Sequence, residues 1–236
     1  MDRLPGDPPK DVTPSYPRLF ASWFFGTLGI AALIFIPRGT TNYWQGWSWI
    51  GVFAMATGAY TLYLVRSDPA LLSRRMDAGI GREKETAQKK IVSLLYVAFL
   101  ALIVVPPLDV RFGWSHVPWV ISLVGDALTG LSFYVFYLVA KVNSYAASTV
   151  RVEAGQTVVS TGVYALVRHP MYLGAIFLVI GTPIALGSWW ALLAAPLAVT
   201  SLYLRILNEE EVLARELTGY PEYQRRVRYR LVPLIW

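Results

Sequence analysis

The 236-residue sequence predicts an all-α fold, a polytopic helical membrane protein of about six transmembrane helices with a C-terminal helical hairpin and a cytoplasmic helical tail. Three observations carry that expectation. The chain is 55% hydrophobic and only 15% charged, with a mean hydropathy of +0.45, whereas soluble domains carry about 25% charged residues. Its apolar residues fall into runs of the roughly 20 residues that a helix needs to cross a bilayer. Its basic residues sort to one side of those runs.

The elements follow in order. Residues 1–18 hold Pro5, Pro8, Pro9, Pro14 and Pro17 and too little apolar surface to order themselves, so they read as a disordered cytoplasmic tail. They lack the basic start, short apolar core and small-residue cleavage site of a signal peptide. Residues 19–140 read as four spans, Leu19–Ile36, Trp44–Val65, Ile91–Leu108 and Val117–Ala140, the third weakened at its end by Pro106 and Pro107. A basic loop at 66–90 joins the second and third spans and suits either a short amphipathic surface helix or a solvated linker. Residues 141–236 form the last region. Its apolar tract Met171–Leu207 would measure roughly 55 Å as one helix, too long for one crossing. It therefore reads as a hairpin of two crossings, 171–207, turning at Gly187-Ser188-Trp189-Trp190 and kinked at Pro183 and Pro196.

Six crossings place both termini on one side. That side gathers three basic residues before Leu19 (Arg3, Lys10, Arg18) and seven in the 66–90 loop (Arg66, Arg74, Arg75, Arg82, Lys84, Lys89, Lys90). It also gathers Lys141, Arg151 and Arg168, and then Arg205, Arg215, Arg225, Arg226, Arg228 and Arg230. Only Arg38 and Arg111 of the 21 Lys and Arg residues fall opposite. The positive-inside rule makes the basic face, with both termini, cytoplasmic. Tyr43, Trp44, Trp47, Trp49, Trp114, Trp119, Trp189 and Trp190 gather at the other interface as an aromatic belt.

Composition also excludes. There is no cysteine, hence no disulfide, thiolate ligand or cysteine nucleophile. Only His116 and His169 could supply imidazole, so no metal is expected. The net charge of +6 fits basic loops facing anionic membrane lipids rather than nucleic acid. No G-x-G-x-x-G, G-x-S-x-G or P-loop pattern is present.

The chemistry concentrates in Gly162-Val-Tyr164-Ala-Leu-Val-Arg168-His169-Pro170-Met-Tyr172-Leu-Gly174. Pro170 suits the first turn of a helix, whose free N–H groups favour a negative charge. Arg168 and His169 add donors there, Tyr172 lies one turn in, Gly174 permits close approach and Gly162 frees the loop backbone. The plain alternative is a membrane anchor, with Arg168 on lipid phosphate, His169 capping and Tyr172 at the interface. Beyond the hairpin stand Asn208-Glu209-Glu210-Glu211. Carboxylates abutting an anionic surface suit a ligand with positive charge or hydroxyl and amine donors. Alternatively they start an amphipathic helix, with Arg205 and Arg215 at helical spacing. Asp126 sits mid-span between Gly125 and Gly130, facing substrate or another helix. Asn143 and Gln156, before the motif, can bind a ligand or satisfy loop backbone.

Gly-x-Tyr-x-x-x-Arg-His-Pro-x-Tyr-x-Gly followed by a hairpin and a Glu-Glu pair resembles the isoprenylcysteine carboxyl methyltransferases and related phospholipid methyltransferases. The closing Leu213…Gly219-Tyr220-x-x-Tyr223-x-x-x-Val227…Leu231-Val-Pro233 is similar to their C-terminal signature. The resemblance covers about residues 140–236. It implies an S-adenosylmethionine-dependent methyltransferase acting on a lipophilic substrate that enters from the membrane, most specifically a carboxylate of isoprenylcysteine type. It implies that Tyr164, Arg168, His169, Pro170, Tyr172 and Gly174 line the cofactor pocket and that Glu209 and Glu210 are its Glu-Glu pair; Gly162 and Gln156 are further cofactor candidates from the residues themselves. Asp126 and Asn143 are candidate substrate residues, and Arg205 or Arg215 would hold an acceptor carboxylate. The departures are a third acid, Glu211, and a spacing before Tyr220 two residues shorter than in the prenylcysteine enzymes.

Three other readings stand beside it: a phospholipid or small-thiol acceptor, an NADPH-dependent membrane sterol-type reductase, and a transporter or scaffold. The reductases carry a similar Arg-His-Pro-x-Tyr-x-Gly, with Asn after the proline and an acid after the glycine. Met171 and Ala175 stand there instead. A transporter calls for polar residues at the bilayer midplane, where only Asp126 falls.

Overall fold

The computed structural model describes residues 15–76, 86–146, 152 and 155–236; the rest of the expected tail and of the basic loop lies outside them. Every regular element among the described residues is a helix, in the order α1 (Tyr16–Arg38), α2 (Trp44–Ser67), α3 (Pro69–Met76), α4 (Thr86–Phe112), α5 (Trp119–Val142), α6 (Pro170–Ala185), α7 (Ala195–Glu216) and α8 (Tyr220–Arg226). Short 3-10 turns at Gly162–Ala165 and Trp190–Ala194 precede α6 and α7. Five helical stretches are long and apolar enough to span a membrane: Tyr16–Arg38, Trp44–Ser67, Gln88–Phe112, Trp119–Val142 and Trp190–Glu216. The protein is thus a polytopic helical membrane protein. The expected sixth crossing is α6, whose 16 residues extend about 24 Å, short of a ~30 Å hydrocarbon core.

Several boundaries move. The first helix begins at Tyr16, inside the expected tail, because Pro17 fits its opening turn. It ends at Gly39, whose φ of +73° lets its N–H reach Phe35 and Ile36 carbonyls. The two prolines of α4 do not end it; the helix runs on to Phe112. Asp109 secures this last turn. Its carboxylate, fully buried, accepts from the Ser115 amide (2.7 Å) and hydroxyl (2.6 Å) and from Ser188 Oγ (2.5 Å). The knot ties α4 to the hairpin turn. Pro196 does not kink α7 but begins it, as a first-turn residue.

The aromatic belt is also smaller than expected. Trp44, Trp47, Trp114, Trp119, Trp189 and Trp190 are exposed, while Tyr43 and Trp49 are buried. The Tyr43 hydroxyl donates to the Leu186 carbonyl, and Trp49 Nε1 donates to Thr129 Oγ1 of α5. Both rings are core residues that pin α2 beneath the hairpin.

The most extensive helix contact joins α5 to α6, and it depends on small residues. A methyl group on Gly125 would lie 2.3 Å from the Ala185 amide, and one on Gly181 2.8 Å from the Gly125 carbonyl. Backbones pack here at a distance that only glycine allows. The contact aligns the C-terminus of α5 with the N-terminus of α6. Near that end, Leu19 of α1, Leu64 of α2, Leu71 and Leu72 of α3 and Val139 and Ala140 of α5 form one apolar cluster. The starts of α1 and α6 and the ends of α2, α5 and α7 therefore meet at one pole.

Candidate functional site

A cleft of about 760 Å³, counting its open mouth, lies at that pole. Its wall starts where α5 stops. Asn143, in an extended conformation at the C-cap, accepts from the Tyr145 amide (2.9 Å) and donates Nδ2 to the Tyr164 hydroxyl (2.9 Å). The Gln156–Val159 stretch forms a second wall. Gly162, at φ +57°, turns the chain where a methyl would press on Val142 at 3.0 Å. The following 3-10 turn presents Tyr164, whose carbonyl accepts from the Tyr223 hydroxyl of α8 (2.8 Å).

Arg168 and His169 lead into α6. Their amides donate to the carbonyls of Tyr229 (3.0 Å) and Arg230 (2.8 Å), so the C-terminal segment lies alongside the motif. Pro170 then starts α6 in the manner the sequence suggests. The Tyr172 hydroxyl reaches across to α7 and donates to Glu209 Oε2 (2.5 Å).

The adjacent acids have different fates, because neighbouring helical residues point about 100° apart. Glu209 lines the cleft. Glu210 is buried and makes a clamp: Oε1 takes Arg168 Nε at 2.6 Å and lies 3.2 Å from His169 Nε2, while Oε2 takes Arg230 Nε at 2.8 Å. Glu211 is exposed. Arg168 is further held by Val227 O (2.7 Å) and Arg228 O (2.8 Å) on Nη1. Its Nη2 makes no hydrogen bond with a described residue, and the side chain contributes to the cleft wall.

Of the residues singled out by sequence, Asn143, Gln156, Tyr164, Arg168, His169, Tyr172 and Glu209 come together on the cleft wall. The others do not line it. Pro170 and Gly174 are packing residues of α6, Gly174 lying against the Phe136 ring. Arg205 is buried, with Nη1 on Gln88 Oε1 (2.9 Å), and the Gln88 amide donates to Asn208. Arg215 is exposed beside Glu216. Asp126 lies about 25 Å along α5 from Asn143, where it accepts from Ser48 of α2 at 2.5 Å. It is a helix–helix contact and stands apart from the cleft.

The cleft also uses residues not singled out as ligands: Tyr145, Met171, Leu213, Leu217, Tyr220 and Tyr223. Tyr220 is the most informative, since its buried hydroxyl has no partner among the described residues and the ring lines the cleft. The Leu213/Leu217 spacing and the Gly219-Tyr220-x-x-Tyr223 pattern were the available signals. Burial pushes the phenols of Tyr164 and Tyr220 well up and that of Tyr223 to about 12, so all three remain neutral donors at physiological pH.

The cleft therefore combines a carboxylate, a guanidinium and phenols with apolar side chains. Comparison with known proteins follows the same boundaries. No curated protein sequence matches the chain. The family model described as Phospholipid methyltransferase matches residues 120–218, from the start of α5 through the cleft to the end of α7. Over residues 120–218 the chain is therefore similar to the phospholipid methyltransferase family of membrane methyltransferases, with which the isoprenylcysteine carboxyl methyltransferases are grouped.

Proposed function

We propose that this protein transfers the methyl group of S-adenosylmethionine to a lipophilic acceptor that reaches the cleft from the bilayer, the acceptor being a carboxylate of isoprenylcysteine type. The observation that carries the reading is the mixed lining of the cleft, where Glu209, Arg168 and the unpartnered Tyr220 hydroxyl stand among Met171, Leu213 and Leu217. That donor set fits an amino-acid nucleoside. Arg168 and His169 suit its carboxylate, Glu209 suits its ammonium or ribose hydroxyls, and the apolar lining residues suit its base and the acceptor's hydrocarbon. Glu210 acts indirectly, by holding Arg168 and His169 in place.

Bound S-adenosylmethionine supplies an activated methyl on sulfur; the C–S bond breaks as the acceptor's bond to carbon forms. What the chain contributes is alignment and exclusion of water. A carboxylate acceptor is ionised at neutral pH and needs no base. This accords with a cleft whose candidate bases are already engaged, His169 with Glu210 and Glu209 with Tyr172. The positive-inside rule supports a cytoplasmic cleft and cytoplasmic termini.

The test is calorimetric binding of S-adenosylhomocysteine to the detergent-purified protein, with Glu209→Gln beside it and NADPH as the competing ligand. Binding of the nucleoside that weakens in the variant, without an NADPH signal, is the expected result. NADPH binding alone would replace this reading with the reductase, and the absence of both would leave the motif as a membrane anchor.

A further inference from the structure

Arg75 lies outside the family match, on the short helix α3. Leu71 and Leu72 bury one face of α3 against α2, α5 and the Tyr164 and Met171 side chains that line the cleft. This fixes the two arginines that follow. Arg74 is held on the Tyr145 ring and on the Ser144 carbonyl (3.2 Å). Arg75 enters the interior instead. Its guanidinium carbon stands 5.3 Å from the Tyr60 ring centre and 6.0 Å from that of Phe136.

The polar partners of Arg75 are poor. Its Nη2 lies 2.9 Å from the Met171 sulfur, and a thioether is a weak acceptor. Its Nε is buried and has no partner, and the same is true of the Tyr60 hydroxyl beside it. No carboxylate among the described residues forms an ion pair with Arg75. A buried guanidinium N–H and a buried phenol hydroxyl that both lack an acceptor are costly features unless something supplies one. An anion would satisfy both at once. Met171 separates this position from the cleft by a single side chain, since it touches Arg75 on one side and lines the cleft on the other.

We propose that Arg75 and Tyr60 bind the anionic head group of the methyl acceptor, a carboxylate or a phosphate, at the membrane-facing side of the cleft. The proposal rests on the methyltransferase reading for the word acceptor, but the anion site stands on the geometry alone. Phe136, Met171 and the Tyr60 ring give the hydrocarbon beside the head group an apolar surround.

The experiment measures amphiphile binding to the full chain in detergent, with S-adenosylhomocysteine binding followed separately in the same samples. S-farnesylthioacetate against farnesol tests a carboxylate, and lysophosphatidylethanolamine against the monoacylglycerol of the same chain tests a phosphate. At least one anionic member is expected to bind about ten-fold tighter than its neutral analogue, the size of one charge-assisted hydrogen bond. Arg75→Met should erase that preference and Arg75→Lys retain part of it. Arg66→Met, which removes an exposed charge from the end of α2, should leave it intact. The pair that responds names the head group. Equal binding of charged and neutral members by the parent protein, or a preference that survives Arg75→Met, overturns the site. Failure of the parent to bind S-adenosylhomocysteine while the Arg75-dependent preference persists would instead sink the methyltransferase reading and keep the anion site.

Discussion

Glu209 and Glu210 are neighbours in sequence and opposites in consequence, and replacing each by glutamine separates binding from architecture. Glu210 and Arg168 expose only 6% of their side chains. Glu210→Gln keeps the shape, removes the charge and turns an amide N–H₂ toward one of the two arginines, donor against donor. Breaking a buried ion pair costs about 3–5 kcal/mol. Two effects reduce this: Arg168 keeps the Val227 and Arg228 carbonyls, and Arg230, one-third exposed, is partly screened. About 2–3 kcal/mol remains. At about 2–4 °C per kcal/mol for a chain of this size, the melting temperature should fall by about 4–12 °C. The C-terminal segment should loosen first, because Glu210 holds it directly at Arg230 and fixes the Arg168 side chain that bonds its carbonyls. Trypsin cleavage after Arg228 and Arg230 in the folded protein is the local readout. Glu209→Gln retains an oxygen for the Tyr172 hydroxyl, so it should melt with the parent while weakening S-adenosylhomocysteine about ten-fold through loss of a charged contact. Equal melting and equal cleavage of Glu210→Gln and the parent would refute the clamp. Identical behaviour of the two variants would refute the division of labour between the acids.

Asp126→Asn keeps its bond to Ser48 far from the cleft, so nucleoside affinity should stay within about two-fold by calorimetry; a ten-fold loss would return Asp126 to the substrate. Gly125→Ala must push α5 from α6, since its methyl meets the Ala185 amide at 2.3 Å, and should lower stability by about 1–3 kcal/mol in thermal melts. Gly130→Ala, where a methyl meets nothing within 4 Å, should be neutral or slightly stabilising. The cleft phenols are raised in the folded state, Tyr223 from 10.0 to about 12. Their contribution is complete below pH 10 and is lost as pH climbs toward 12, so alkaline unfolding should begin in that window, followed by tyrosinate absorbance. Replacing Tyr223 by Phe should shift that onset upward in pH; an onset unchanged in the variant would assign it to other groups.

Much of the architecture was legible because a bilayer makes hydropathy and helix length nearly sufficient. With no water to satisfy the backbone, long apolar runs must be helices, and the spans and the hairpin turn follow from that. The motif's thirteen residues also announced a site, through the proline start of α6 and the cations before it. Hydropathy could not tell a lipid-facing aromatic from a core one: Trp49 and Tyr43 share the belt's composition and position, and only their partners on α5 and the hairpin turn bury them. Nor could it tell a terminating proline from a tolerated one in α4, where Asp109 secures the end. Sequence determined that Arg168, His169 and three consecutive acids would stand at one pole. Only the tertiary structure decided that Glu209 faces the cleft, Glu210 the buried arginines and Glu211 the solvent. The physical reason is that side-chain roles on a helix depend on the direction of each residue relative to its neighbours. That direction is set here by the glycine contacts of α5 and α6 and by the C-terminal segment folding back on the motif.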